Sequence, residues 1–89
     1  MKNTYLQYYP EDKVEEFTAI SYRIQIVQGH NYYVKVRTGP GSYVHLRIYK
    51  DLAGQVSLDG VITNKTAFDR IESIPPNIYE QKQKSTISS

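Results

Sequence analysis

Between Phe17 and about Thr63 apolar and polar residues alternate with a period of two. Ile20, Tyr22, Ile24 and Ile26 share one row with Thr18, while Ala19, Ser21, Arg23 and Gln25 share the other. Such alternation marks an antiparallel strand buried on one face only. After a turn at residues 28–31, a second strand is predicted over 32–37, with Tyr32, Val34 and Val36 on one side and Tyr33, Lys35 and Arg37 on the other. Thr38-Gly39-Pro40-Gly41-Ser42 reads as a loop. A third strand follows over 43–50, carrying Val44, Leu46 and Ile48 against Tyr43, His45, Arg47 and Tyr49. Residues 51–55 turn the chain, with Gly54 free to take a positive φ. A fourth strand spans 56–63, where Gly60 interrupts the row of Val56, Leu58 and Ile62 and marks a bulge or a close backbone approach. Even-numbered positions carry nearly all the aliphatic residues. The pattern predicts a four-stranded antiparallel meander with one aliphatic face and one mixed aromatic and basic face.

The flanks are less regular. Pro10 followed by Glu11 and Asp12 suits a helix start, so about two turns are predicted over 10–16; no long amphipathic helix is visible. Residues 65–71 are polar, with Phe68 and Ile71 as anchors. Pro75-Pro76 stops regular structure, and residues 75–89 read as a polar flexible tail on a single domain spanning 1–74. A fold-back of this tail through Phe68, Ile71, Ile74 and Ile78 is disfavoured by its prolines and polarity.

Composition narrows the function classes. A net charge of +2 gives no strong pull toward nucleic acid or an anionic membrane. With no cysteine among 89 residues there is no disulfide framework, no thiol nucleophile and no thiolate metal site, and a cytoplasmic setting is expected. The sequon Asn64-Lys65-Thr66 is therefore expected to stay unmodified. His30 and His45 have no acidic or cysteine partner at ligand spacing, and no nucleophile–base pair can be assembled. No enzyme activity, metal or cofactor is expected. Tyr33, Lys35, Arg37, Tyr43, His45, Arg47 and Tyr49 interleave rings and cations as single-strand nucleic-acid binders do, but a solvated outer face explains them better.

The residues Gln25-Ile26-Val27-Gln28-Gly29 fit the Gln-x-Val-x-Gly motif, and the chain resembles the stefins, the intracellular cystatins that inhibit papain-like cysteine proteases. The match continues through Asn31-Tyr32-Tyr33-Val34-Lys35-Val36-Arg37, Tyr43-Val44-His45-Leu46-Arg47-Ile48-Tyr49-Lys50, Leu52-Ala53-Gly54-Gln55 and the polar run to Ile71. It covers roughly residues 14–72.

The resemblance implies an α+β, cystatin-like fold and a binding mode. A first hairpin loop, Gln25, Ile26, Val27, Gln28 and Gly29, and a second, Leu52, Ala53 and Gly54, would enter the protease cleft as a wedge that blocks without being cleaved. Ala53 stands where stefins commonly have proline. Stefins also carry a glycine-containing N-terminal trunk and a long helix across the aliphatic face. Only 24 residues precede Gln25 here, and Pro10 breaks them, so a truncated helix is expected. The aliphatic row would then lack cover, with low stability or a homodimer, packed face to face or by strand exchange, as the expected outcome. Inhibition weaker than a complete stefin's, or a non-inhibitory dimerising module, follows from the same departure.

Overall fold

The computed structural model describes residues 2–11 and 14–80. In chain order the elements are α1 (Lys2–Tyr8), β1 (Thr18–Val27), β2 (Gly29–Gly39), β3 (Ser42–Lys50), β4 (Val56–Lys65) and β5 (Ile78–Tyr79). β1 to β4 form an antiparallel meander in sequence order, and β5 adds to β4 in parallel. A short helix lies against one face. The architecture is α+β and cystatin-like.

Two bulges adjust the predicted rows. In β1 the register slips between Ala19, opposite Val36, and Ser21, opposite Lys35, leaving Ile20 as the extra residue. Ala19 thereby joins the aliphatic face, and Phe17 packs into the core on that side. In β4 Arg47 pairs with Gly60 but Ile48 pairs with Leu58, so Asp59 is extra. The expected row of Leu58, Gly60 and Ile62 is corrected to Leu58 and Val61, both buried; Ile62 moves to the opposite face. A bulge adds one residue and so inverts every side chain beyond it.

The helix is also relocated. The two turns expected over 10–16 are not there: residues 14–17 form neither helix nor strand, residues 12 and 13 lie outside the described set, and the helix is Lys2–Tyr8. Pro10 acts as a stop, because the residue before a proline is pushed away from helical backbone. Seven residues do not hold a helix in water unaided, so packing must. Tyr5 is fully buried and stacks on Tyr9 at 5.0 Å between ring centroids. With Leu6, Val14 and Phe17 the two rings pack on Val36, Val44, Leu46, Leu58 and Val61. The aliphatic face, expected to lack cover, is covered over β2 to β4. Over β1 it is not: Ile20, Tyr22, Ile24 and Ile26 are all exposed.

The opposite face, expected to be solvated, is largely closed as well. Residues 66–74 cross it, with Ile71 and Ile74 buried against Tyr33 and Ile62. Lys35 Nζ donates to the Ala67 carbonyl at 2.9 Å and Arg47 Nη1 to the Ile74 carbonyl at 2.7 Å. Phe68, an expected anchor, is instead 93% exposed. Tyr33, Lys35 and His45 are buried here, so these three do not form an open platform for stacking bases. Pro75-Pro76 redirect the chain rather than end it. Asn77 takes a φ of +62°, its amide donates to the Asp59 carbonyl, and Ile78–Tyr79 pair with Gly60 and Val61. Gly60 permits this crossing, since a Cβ there would lie 3.2 Å from Ile74 Cγ2 and 3.3 Å from the Ile78 carbonyl oxygen. Tyr79 stacks on Tyr8 at 4.4 Å, and Tyr9 Oη donates to the Glu80 carbonyl. Residues 75–80, expected as part of a flexible tail, thus tie α1 to the sheet; residues 81–89 of that expected tail lie outside the described residues.

Candidate functional site

Both turns of interest stand at one end of the sheet. Ile26 pairs with His30, His30 with Lys50, and Lys50 with Val56, giving a continuous cross-strand row beneath the two turns. Val27 pairs with Gly29, so Gln28 is the apex of the first turn. This end exposes apolar surface without a cover: Ile26 is 77% exposed, Leu52 82%, and Val27 and Val56 about half. Apolar side chains gathered at a rim are the signature of an interaction edge.

The first turn is fixed from both sides. Gln25 does not project freely: its Oε1 accepts from Asn31 Nδ2 at 3.1 Å and from Tyr33 Oη at 2.9 Å. Tyr33 Oη in turn accepts from Arg47 Nη1 at 3.3 Å, and Arg47 pairs with Asp59 at 3.4 Å. Gln25 is thus a brace within the hairpin, one end of a polar chain reaching the segment over the sheet. Gly29 is buried with a φ of +100°. A Cβ on it would meet the Lys50 carbonyl oxygen at 2.3 Å and Asp51 Cα at 3.1 Å. The close approach that requires glycine is therefore to this chain's own second hairpin.

The second turn is closed by three bonds around Asp51. Gly54 N donates to the Asp51 carbonyl at 3.0 Å, Asp51 N to the Gln55 carbonyl at 2.9 Å, and Gln55 N to Asp51 Oδ1 at 2.8 Å. Gly54 has a φ of +91°. Ala53 supplies no ring constraint, and the Asp51 side chain does similar work by tying the far end of the turn. Leu52 stands at the tip and is exposed.

All eight residues singled out from the sequence fall at this end. Gln28, Gly29 and the base of the second turn are in direct contact; Ile26, Val27 and Leu52 supply apolar surface; Gln25 and Gly54 set backbone and side-chain geometry. Sequence reasoning missed Tyr49 and Val56. The signal for Val56 was its register opposite Lys50. Tyr49 gave none beyond its place one residue before the end of β3. Among the described residues no group of His, Asp or Glu is arranged to hold a metal ion, and no described helix is long and apolar enough to cross a membrane.

No protein-family model matches the chain. Individual relatives do. The chain is 40% identical over 62 residues to mouse cystatin-A, covering 67% of this chain and 64% of that protein. It is 48% identical over 58 residues to cystatin-A2 of Dictyostelium discoideum, covering 65% of this chain and 60% of the relative. To leukocyte cysteine proteinase inhibitor 1 of Sus scrofa it is 43% identical over 60 residues, 64% of this chain and 58% of the relative. The chain spans about three-fifths of the length of the relatives it matches.

Proposed function

The chain belongs to the stefin family of cystatins, and from that premise we propose that it is a reversible, tight-binding inhibitor of papain-like cysteine proteases, not an enzyme. The observation that carries this reading is the joined edge: two turns at one end of the sheet, in contact through Gly29, presenting Ile26, Val27 and Leu52. An edge already held rigid loses little freedom on entering a cleft. Its exposed aliphatic groups are apolar anchors of the kind that dominate interface energies once desolvated. Gln25 and Gly54 act by holding the turns, and Gln28, Gly29 and Ala53 bring backbone to the enzyme surface. Residues 2–9 are committed to the core through Tyr5, Leu6 and Tyr9, so they stay on the sheet while the two turns enter the cleft. The setting is cytoplasmic, in keeping with a chain that has no cysteine.

The test is a titration of active papain with the protein. Stoichiometric loss of peptidase activity at nanomolar to low micromolar concentration is expected. Undiminished activity at high micromolar inhibitor, alongside salt-sensitive binding of a labelled oligonucleotide, would replace the inhibitor reading with the nucleic-acid one.

We also propose that the chain self-associates through β1. All ten of its residues are exposed, among the described residues no strand lies beside its outer edge, and Ile20, Tyr22, Ile24 and Ile26 line one side. Long apolar edges of this kind pair readily. Sedimentation across a hundredfold concentration range should show a dimer growing in; a strictly monomeric species throughout would rule this out.

A further inference from the structure

We propose that Tyr49 is the positioning residue of this edge: it ties the apex of the first turn to the strand that leads into the second, so that the two enter a protease as one body. This rests on the inhibitor reading. Tyr49 lies in β3 opposite Asn31, one residue before the strand ends. Its ring is half-buried, and its hydroxyl reaches past the end of the first hairpin to donate to the Gln28 carbonyl at 2.5 Å. That carbonyl belongs to the apex residue, which has no partner in the ladder between Val27 and Gly29. The same hydroxyl would lie 3.0 Å from a Cβ on Gly29. Three features therefore meet at one point: an apex carbonyl outside the ladder, a glycine packed on the Lys50 carbonyl, and a phenol that closes the gap.

The chemistry asks specifically for tyrosine. Phenylalanine would keep the ring's packing and lose the hydroxyl's hydrogen bond from β3 to the first turn. The loss would fall on the order of the turn rather than on the fold. Tyr49 belongs to β3, which is held on both sides by β2 and β4, and the ring stays in place. Gln25, Asn31 and Tyr33 brace the hairpin lower down, so its strands remain paired while the apex gains freedom. A partner must then order that apex on binding.

The experiment compares the wild-type protein with Tyr49→Phe in three measurements: inhibition of papain, amide hydrogen exchange at Gln28 and Gly29, and thermal unfolding. One hydrogen bond at an exposed turn predicts inhibition weakened about 3- to 10-fold. Exchange at Gln28 and Gly29 should rise by a comparable factor, with the melting midpoint essentially unchanged. Unchanged exchange at those two amides overturns the proposal. Faster exchange with unchanged inhibition also overturns it, since the tie would then order the turn without serving entry. If the wild-type protein fails to inhibit papain, the inhibitor reading falls, and the exchange data alone decide whether Tyr49 holds the apex.

Discussion

Replacing Gly29 with alanine should cut inhibition of papain by at least about a hundredfold and lower the stability of the free protein by about 2–4 kcal/mol. Two costs act together. The φ of +100° is a backbone conformation that a Cβ-bearing residue resists. The added Cβ would also sit 2.3 Å from the Lys50 carbonyl oxygen, and that neighbour is backbone, so relief requires the hairpins to part. Once parted, Gln28 moves away from Tyr49 and loses the hydroxyl that holds its carbonyl. The stefin resemblance alone implies a simpler role for this glycine, as part of a loop whose backbone meets the enzyme. The two roles separate in the free protein. If Gly29→Ala abolishes inhibition while the melting midpoint and the Lys50 and Asp51 amide resonances stay at their wild-type positions, contact with the enzyme is the cause. Displacement of those resonances before any protease is added marks the internal packing instead.

The same glycine marks the limit of what the residue pattern carries. That both turns act together at one end is implied by the stefin resemblance; the period of two from Phe17 to Thr63 locates β1 to β4 to within two or three residues. What it could not give was parity beyond a bulge. Nothing in Ala19-Ile20-Ser21 or in Leu58-Asp59-Gly60 announces the extra residue except Gly60, yet each bulge decides which face Phe17 and Ile62 occupy. The segment 66–74 hides its docking for a different reason. Its buried apolar residues, Ile71 and Ile74, are too sparse to signal burial by periodicity, and the exposed Phe68 misleads. Its docking depends on partners elsewhere, Lys35 reaching the Ala67 carbonyl and Arg47 the Ile74 carbonyl. Cations on an outer strand face read as solvated until the carbonyls that receive them are seen. Pro10 was ambiguous in itself, since a proline suits the first turn of a helix and also forbids the last. The full burial of Tyr5 settles which role it plays.

Acidification from pH 7.5 to 5 should destabilise the protein by about 2 kcal/mol, with the loss approaching about 3 kcal/mol near pH 4. The cause is His45, which is 2% exposed beneath residues 65–75. Burial, reinforced by the nearby ammonium groups of Lys65 and Lys35, pushes its pKa down from 6.5 to about 4; the carboxylates of Asp69 and Glu72 oppose this more weakly. Its Nε2 is buried without a hydrogen-bond partner, which leaves a proton added there without an acceptor. The sign follows from where each state takes up a proton. In the unfolded chain His45 protonates below its ordinary value of 6.5; in the fold it resists until about 4. Between those limits the unfolded state binds more protons, so stability is complete above pH 6.5 and falls as pH drops through the window. The element released first should be the cover itself, Ile71 and Ile74, since they lie over the face that holds His45. Urea unfolding at pH 7.5, 6, 5 and 4 measures the slope, and His45→Gln, which cannot titrate, should flatten it across the upper part of the range. A wild-type midpoint that does not move between pH 7.5 and 5 would show that His45 is free to protonate in the folded protein, and that the cover over it is open.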